Sequence, residues 1–123
     1  MNPGKILLVD DDLFLREIYL DILKESGLSA ETAVDGEDAY NKIKQGGWDL
    51  VLLDFVLPKM NGLEVMKKIK SSQDPKPAKK IIFLTNIDDT KDLDQLKELG
   101  DGYLIKSELT PVQFVDKVKS YLH

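Results

Sequence analysis

The sequence predicts an α/β fold in which a parallel sheet is covered by helices on both faces. Three observations carry this. Apolar runs alternate with amphipathic stretches from end to end, as strand–helix–strand units require. The runs Ile6-Leu7-Leu8-Val9, Leu50-Val51-Leu52-Leu53 and Ile81-Ile82-Phe83-Leu84 are continuous, the pattern of strands buried on both sides. Each run, together with Tyr103-Leu104-Ile105, ends in a polar residue: Asp10, Asp54, Thr85 and Lys106. In open α/β sheets the functional crevice lies beyond the carboxyl ends of the strands.

The elements follow in order. A first strand is expected over Lys5–Val9. A helix over Leu13–Glu25 follows, with Asp12 as its cap, Phe14, Ile18 and Ile22 as its inward stripe, and Gly27 ending it. A short strand over Ser29–Ala33 leads to a helix after Asp35 that turns Ala39, Tyr40 and Ile43 inward and stops at Gly46-Gly47. The third strand is expected over 49–53. The loop after it holds Pro58, which cannot continue a central strand. A helix over Gly62–Ser71 buries Leu63, Met66 and Ile69. Residues 71–80, with Asp74-Pro75-Lys76-Pro77, read as an exposed loop. A strand over 81–85, a helix over 90–99 with Leu93, Leu96 and Leu99 apolar, and a strand over Gly102–Ile105 complete the sheet. The last helix opens at Thr110-Pro111-Val112-Gln113, which supplies an N-cap, a proline at its first position and a capping-box glutamine. Val115, Val118 and Leu122 form its inward stripe.

The 123 residues suffice for one domain over 1–123, and a composition 42% hydrophobic and 32% charged is globular. No apolar run approaches the ~20 residues of a membrane span, and the N-terminus does not read as a signal peptide. With no cysteine, disulfides and thiolate metal sites are excluded, which fits a cytoplasmic location. A net charge of −5 argues against direct nucleic-acid binding.

The strand ends carry the chemistry. Asp12 has a structural task as a cap, which leaves Asp10 and Asp11 as adjacent carboxylates without one. Two such groups repel, so a cation is expected there, and oxygen-only ligands favour Mg²⁺, Mn²⁺ or Ca²⁺ over zinc. Asp54 ends an unbroken apolar run and precedes Phe55-Val56-Leu57, where an unpaired charge is costly. Aspartate can act as a nucleophile toward a phosphoryl group. Taken alone, Thr85 reads as a strand residue and Lys106 as a surface lysine. Together with the acidic groups they supply a hydroxyl and an ammonium for phosphoryl oxygens.

At this point the chain resembles the response regulator receiver domains (CheY-like) of two-component signal transduction. The resemblance runs through the segments at 5–12, 49–54, 57–62, 82–85 and 102–106 and covers essentially the whole chain. It implies a flavodoxin-like (βα)5 three-layer sandwich with a parallel five-stranded sheet in the order 2-1-3-4-5. It also implies that Asp54 accepts a phosphoryl group from the phosphohistidine of a sensor histidine kinase or a histidine phosphotransfer protein. By the same resemblance Asp11 is a direct Mg²⁺ ligand, Asp10 its acidic neighbour, and Val56 the donor of a backbone carbonyl to the metal. Thr85 and Lys106 engage the phosphoryl oxygens, and Tyr103 changes rotamer with Thr85. The output is a helix 4–strand 5–helix 5 face that binds a downstream protein. Because the last helix reaches Leu122-His123, a stand-alone domain with no output domain is expected, with self-phosphorylation and slow self-dephosphorylation as its only activities.

Several positions depart from the family pattern. Asn86 replaces a small residue beside Thr85. Val56 and Ile87 flank the path of a hydrolytic water and cannot orient it, which predicts slow loss of the phosphoryl group. Ser107 replaces the proline after the lysine, so no cis bond is expected there. The corner Leu99-Gly100-Asp101-Gly102-Tyr103 is one residue short and should be tight. Other readings compete. Asp10 and Asp12 have the spacing of a haloacid-dehalogenase-type phosphatase pair, but Phe14 breaks that motif and Asp54 is left unexplained. Three aspartates after the first strand would repel a flavin phosphate. A docking module that is never phosphorylated leaves the full set of site residues without a purpose.

Overall fold

Alternation along the strands sets the layers of the molecule, a computed structural model that describes residues 5–71, 77–85 and 93–122. The elements run β1 (Lys5–Val9), α1 (Leu13–Glu25), β2 (Ser29–Ala33), α2 (Gly36–Lys44), β3 (Trp48–Asp54), α3 (Gly62–Ser71), β4 (Ala78–Thr85), α4 (Leu93–Leu99), β5 (Gly102–Ile105) and α5 (Pro111–Leu122). All neighbouring strands pair in parallel, in the order β2-β1-β3-β4-β5. This is the flavodoxin-like arrangement expected from the sequence.

Successive side chains of a strand point to opposite faces. Leu7, Val9, Val51, Leu53, Ile81 and Phe83 therefore form one core with α2 and α3. Ile6, Leu8, Leu50, Leu52, Ile82 and Leu84 form the other with α1 and α5. The continuous apolar runs exist because β1, β3 and β4 are covered on both sides.

Local chemistry fixes the helix ends. The Asp12 side chain accepts from the Leu15 N–H at 3.1 Å and the Asp35 side chain from the Asp38 N–H at 2.8 Å. Thr110 and Gln113 form the expected reciprocal box, with bonds of 2.9 and 3.2 Å. Two glycines let the loop after β3 close on its neighbours. A Cβ on Gly36 would lie 1.6 Å from the Met60 carbonyl oxygen, and one on Gly62 would lie 2.4 Å from that of Asp54.

Some expectations need correction. β3 runs from Trp48 through Asp54 and β4 begins at Ala78, because Trp48 pairs with Ala78 ahead of the apolar run. The loop before β4 is correspondingly shorter. Phe14 does not face inward; it is 73% exposed. Leu23 is the fully buried residue of that helix. In α5 the stripe is wider than expected and includes Phe114, which is fully buried. The start expected for the fourth helix lies outside the described residues, as do Asn86, Ile87, His123 and the side chains of Leu93 and Leu96. The short corner before β5 is a two-residue connection, Gly100 and Asp101. It is stapled to β4: Asp101 N–H donates to the Ile81 carbonyl at 2.8 Å, and its carboxylate accepts from Ile81 N–H at 2.7 Å. No cis peptide bond occurs among the described residues.

Candidate functional site at the carboxyl edge of the sheet

The strand order reverses around β1, so the crevice between the ends of β1 and β3 is the topological switch point. Register places the candidates there. Val9 pairs with Leu53, Leu53 with Phe83, and Thr85 with Ile105. Asp10, Asp54, Thr85 and Lys106 therefore reach one edge from four adjacent strands. An open cleft of about 450 Å³ lies over it, lined by Asp10, Asp11, Asp54, Val56, Lys106 and residues of α1.

Lys106 Nζ donates to Asp54 Oδ2 at 2.7 Å and to Asp10 Oδ2 at 3.2 Å. Asp54 Oδ1 accepts from the Val56 N–H at 3.4 Å. Asp10 is fully buried, and its Oδ1 accepts from the Asp12 N–H at 3.0 Å. Its backbone carbonyl accepts from the Arg16 guanidinium at 2.8 Å, which ties α1 to the end of β1. Asp10 is thus not free of structural work, as the sequence had suggested. Of Asp10, Asp11 and Asp54, Asp11 is the exposed one.

The charges do not balance. Carboxylate oxygens of Asp10, Asp11 and Asp54 can all lie within 4.8 Å of one another, and Lys106 pairs with Asp10 and Asp54 but not with Asp11. Burial drives the Asp54 carboxyl up to about 6; the bond to Lys106 opposes this and the Asp10 charge adds to it. Burial acts to lower the Lys106 ammonium, but Asp54 and Asp10 outweigh it and leave its pKa raised. A surplus of negative oxygen donors at one point fits a hard divalent cation such as Mg²⁺.

Val56 lines the cleft with its side chain 58% exposed. Thr85 is buried at the end of β4. Tyr103 pairs in register with Phe83 and packs half-buried on the same core, the face that Thr85 shares by alternation. The phosphatase pairing of Asp10 with Asp12 finds no support in the geometry. Asp10 is buried under Lys106, and Asp12 is committed to its cap.

Tyr19 and Ser107 also line the cleft, and no strand-end signal pointed to either. Tyr19 was legible only as a polar-tipped aromatic four residues after Leu15, on the same helical face.

The sequence matches the family profile of the response regulator receiver domain over residues 6–119. It is 38% identical over 103 residues to the transcriptional regulatory protein DltR of Streptococcus agalactiae, covering 83% of this chain and 45% of that protein. A probable transcriptional regulator, ycf27, of Cyanophora paradoxa is 33% identical over 123 residues, 99% of this chain and 49% of that protein. The chain thus spans less than half the length of these relatives. Among solved structures, response regulator TrrA from Thermotoga maritima in complex with Mg²⁺-BeF superposes with a TM-score of 0.80 at 36% identity, covering 96% of this chain and 98% of that one. Chemotaxis response regulator CheY4 of Vibrio cholerae superposes at 0.85 with 26% identity, covering 98% and 99%.

Proposed function

The chain belongs to the response regulator receiver domain family, and from that premise we propose that it is a phosphorylation switch with Asp54 as the phosphoacceptor. The observation that carries this is the carboxylate–ammonium cluster: Asp54 buried at the end of β3, 2.7 Å from Lys106, with Asp10 and Asp11 beside it. An Asp54 carboxylate oxygen attacks the phosphorus of a phosphohistidine. The P–N bond breaks, and its electron pair leaves on the imidazole nitrogen, which takes up a proton. Lys106 and Thr85 then hydrogen-bond the new phosphoryl oxygens. Asp11, Asp54, the Val56 carbonyl and, at one remove, Asp10 would hold Mg²⁺, which supplies charge neutralisation between the two anions that meet. The Mg²⁺-BeF complex of the relative TrrA supports that choice of metal.

Phosphorylation draws Thr85 inward, Tyr103 follows, and the face of α4, β5 and α5 shifts its population toward a state that binds a downstream protein. The donor is a sensor histidine kinase or a histidine phosphotransfer protein. The exposed apolar side chain of Val56 leaves a hydrolytic water unoriented, so the aspartyl-phosphate decays slowly. No described helix is long and apolar enough to cross a membrane, which accords with action in the cytoplasm. Intact mass after treatment with acetyl phosphate and Mg²⁺ tests the reading. Wild type gains one phosphoryl group and Asp54→Asn gains none. An unmodified wild type, or an equally modified variant, overturns it.

A further inference from the structure

We propose that Arg16 is a positioning residue for Asp11: its guanidinium holds the Asp10 carbonyl, and through the peptide plane of that carbonyl it sets where the Asp11 carboxylate stands for a divalent cation. The proposal rests on the reading of Asp11 as a Mg²⁺ ligand and concerns what keeps the exposed member of the carboxylate cluster in place.

The Asp11 side chain has no ion pair of its own to direct it. Asp10 and Asp54 are buried and paired with Lys106, whereas Asp11 is exposed and makes no ion pair among the described residues. An aspartate side chain is short, and its χ1 settles into staggered wells. With the backbone fixed, its oxygens reach only a few positions. Where they stand is therefore decided by the peptide planes on either side of the residue.

Both planes are pinned. The Asp10 carbonyl belongs to the peptide that joins Asp10 to Asp11, and it accepts from Arg16 Nη1 at 2.8 Å. Because a peptide is planar, holding its oxygen also holds the Asp11 nitrogen. The following peptide is held by the Asp12 N–H, which donates to Asp10 Oδ1 at 3.0 Å. Arg16 is itself anchored. Its backbone N–H donates to the Asp12 carbonyl at 2.9 Å in the first turn of α1, and the Asp12 side chain caps that turn at the Leu15 N–H. The helix that starts after Asp12 thus sends a side chain back to the strand end from which it came. A guanidinium stays charged at any working pH, and its bond to a carbonyl is stronger than that of a neutral donor.

Charge alone gives Arg16 the opposite effect. A fixed cation near a cation site repels the metal, so removing it should tighten Mg²⁺ binding unless the geometry it enforces matters more. The sign of the change separates the two accounts.

Arg16→Met keeps an unbranched apolar stem and removes the donors. Calorimetry measures Mg²⁺ affinity of the unphosphorylated protein, wild type and variant, and intact mass follows phosphorylation by acetyl phosphate across Mg²⁺ concentration. Folding is verified by circular dichroism, and Arg16→Gln, with its shorter neutral side chain, replaces Arg16→Met should the latter not fold. The variant is expected to bind Mg²⁺ about tenfold more weakly, the low end of what loss of a ligand's supporting hydrogen bond costs. The Mg²⁺ concentration for half-maximal phosphorylation rises by the same factor. The rate at saturating Mg²⁺ stays at the wild-type value, because Asp54 and Lys106 are untouched. Unchanged or tighter Mg²⁺ binding, whatever happens to the melting temperature, overturns the positioning role and leaves the phosphoacceptor reading intact. A wild type that binds no Mg²⁺ and takes up no phosphoryl group overturns both.

Discussion

Replacing Asp54 by asparagine should remove a pH dependence of stability that runs opposite to that of an ordinary carboxylate. In the folded chain Asp54 titrates at about 6 against a usual value of 3.8. A group whose folded pKa is raised contributes stability below its unfolded pKa and loses it as pH rises through the folded one. A shift of this size corresponds to about 3 kcal/mol at the limit, and between pH 7.5 and 4.5 about 2 kcal/mol of it is gained. For a domain of this size that is a rise of roughly 6–10 °C in Tm. Asp35 and Asp49 are shifted the other way, Asp35 chiefly by the Asp38 N–H and Asp49 by the Lys5 N–H. Their contribution is present above the unfolded pKa and is lost only at lower pH, outside this window. Thermal melts in EDTA at pH 4.5 and 7.5, for wild type and Asp54→Asn, isolate the term as a difference of differences. Wild type is expected to gain stability on acidification relative to the variant, and the variant to be the more stable of the two at pH 7.5. Equal pH slopes in the two proteins would refute the reasoning.

Mg²⁺ should raise the Tm of wild type at pH 7.5, by about 2.7 kcal/mol of stability at a concentration a hundredfold above Kd; Asp11→Asn should abolish most of the rise in a melt series across Mg²⁺ concentration. Val56→Asn, which adds a polar group at the mouth of the cleft, should speed decay of the aspartyl-phosphate, followed by intact mass after removal of donor; a fast wild-type rate sinks the expectation. Gly36→Ala should lower the urea midpoint by an amount equivalent to roughly 1–3 kcal/mol, the usual cost of overpacking, because its Cβ would meet the Met60 carbonyl; an unchanged midpoint would show that the loop yields freely.

The sheet was legible in the sequence because three strands are buried on both faces, and only continuous apolar runs satisfy that environment. Caps at Asp12 and Thr110 were legible for an equally local reason: a side-chain acceptor three residues ahead of a helical N–H. What was not legible depends on where elements end in space. Phe14 has the spacing of a buried residue, yet it stands 73% exposed. Trp48 and Ala78 extend their strands because they face each other, a fact about pairs that neither segment carries alone. At the site, the strand-end rule pointed to Asp54, Thr85 and Lys106, since each is the polar residue that ends an apolar run. It did not find Tyr19, which arrives from a helix, nor the sharing of Lys106 between two aspartates.

That sharing explains why the cluster suits a switch better than a purely structural role would. A buried ion pair seldom improves stability, and here one ammonium serves Asp10 and Asp54 while Asp11 adds further negative charge. Apolar residues in the same places would give a more stable sheet edge. The arrangement has a use only when positive charge enters, or when the charge on Asp54 changes and the lysine must follow it. Asp10 is tied by its carbonyl to Arg16 and by its carboxylate to the Asp12 N–H, so it stays in place. Lys106, on a flexible four-carbon stem, is the side chain that can follow a change of charge at Asp54 while Asp10 stays in place.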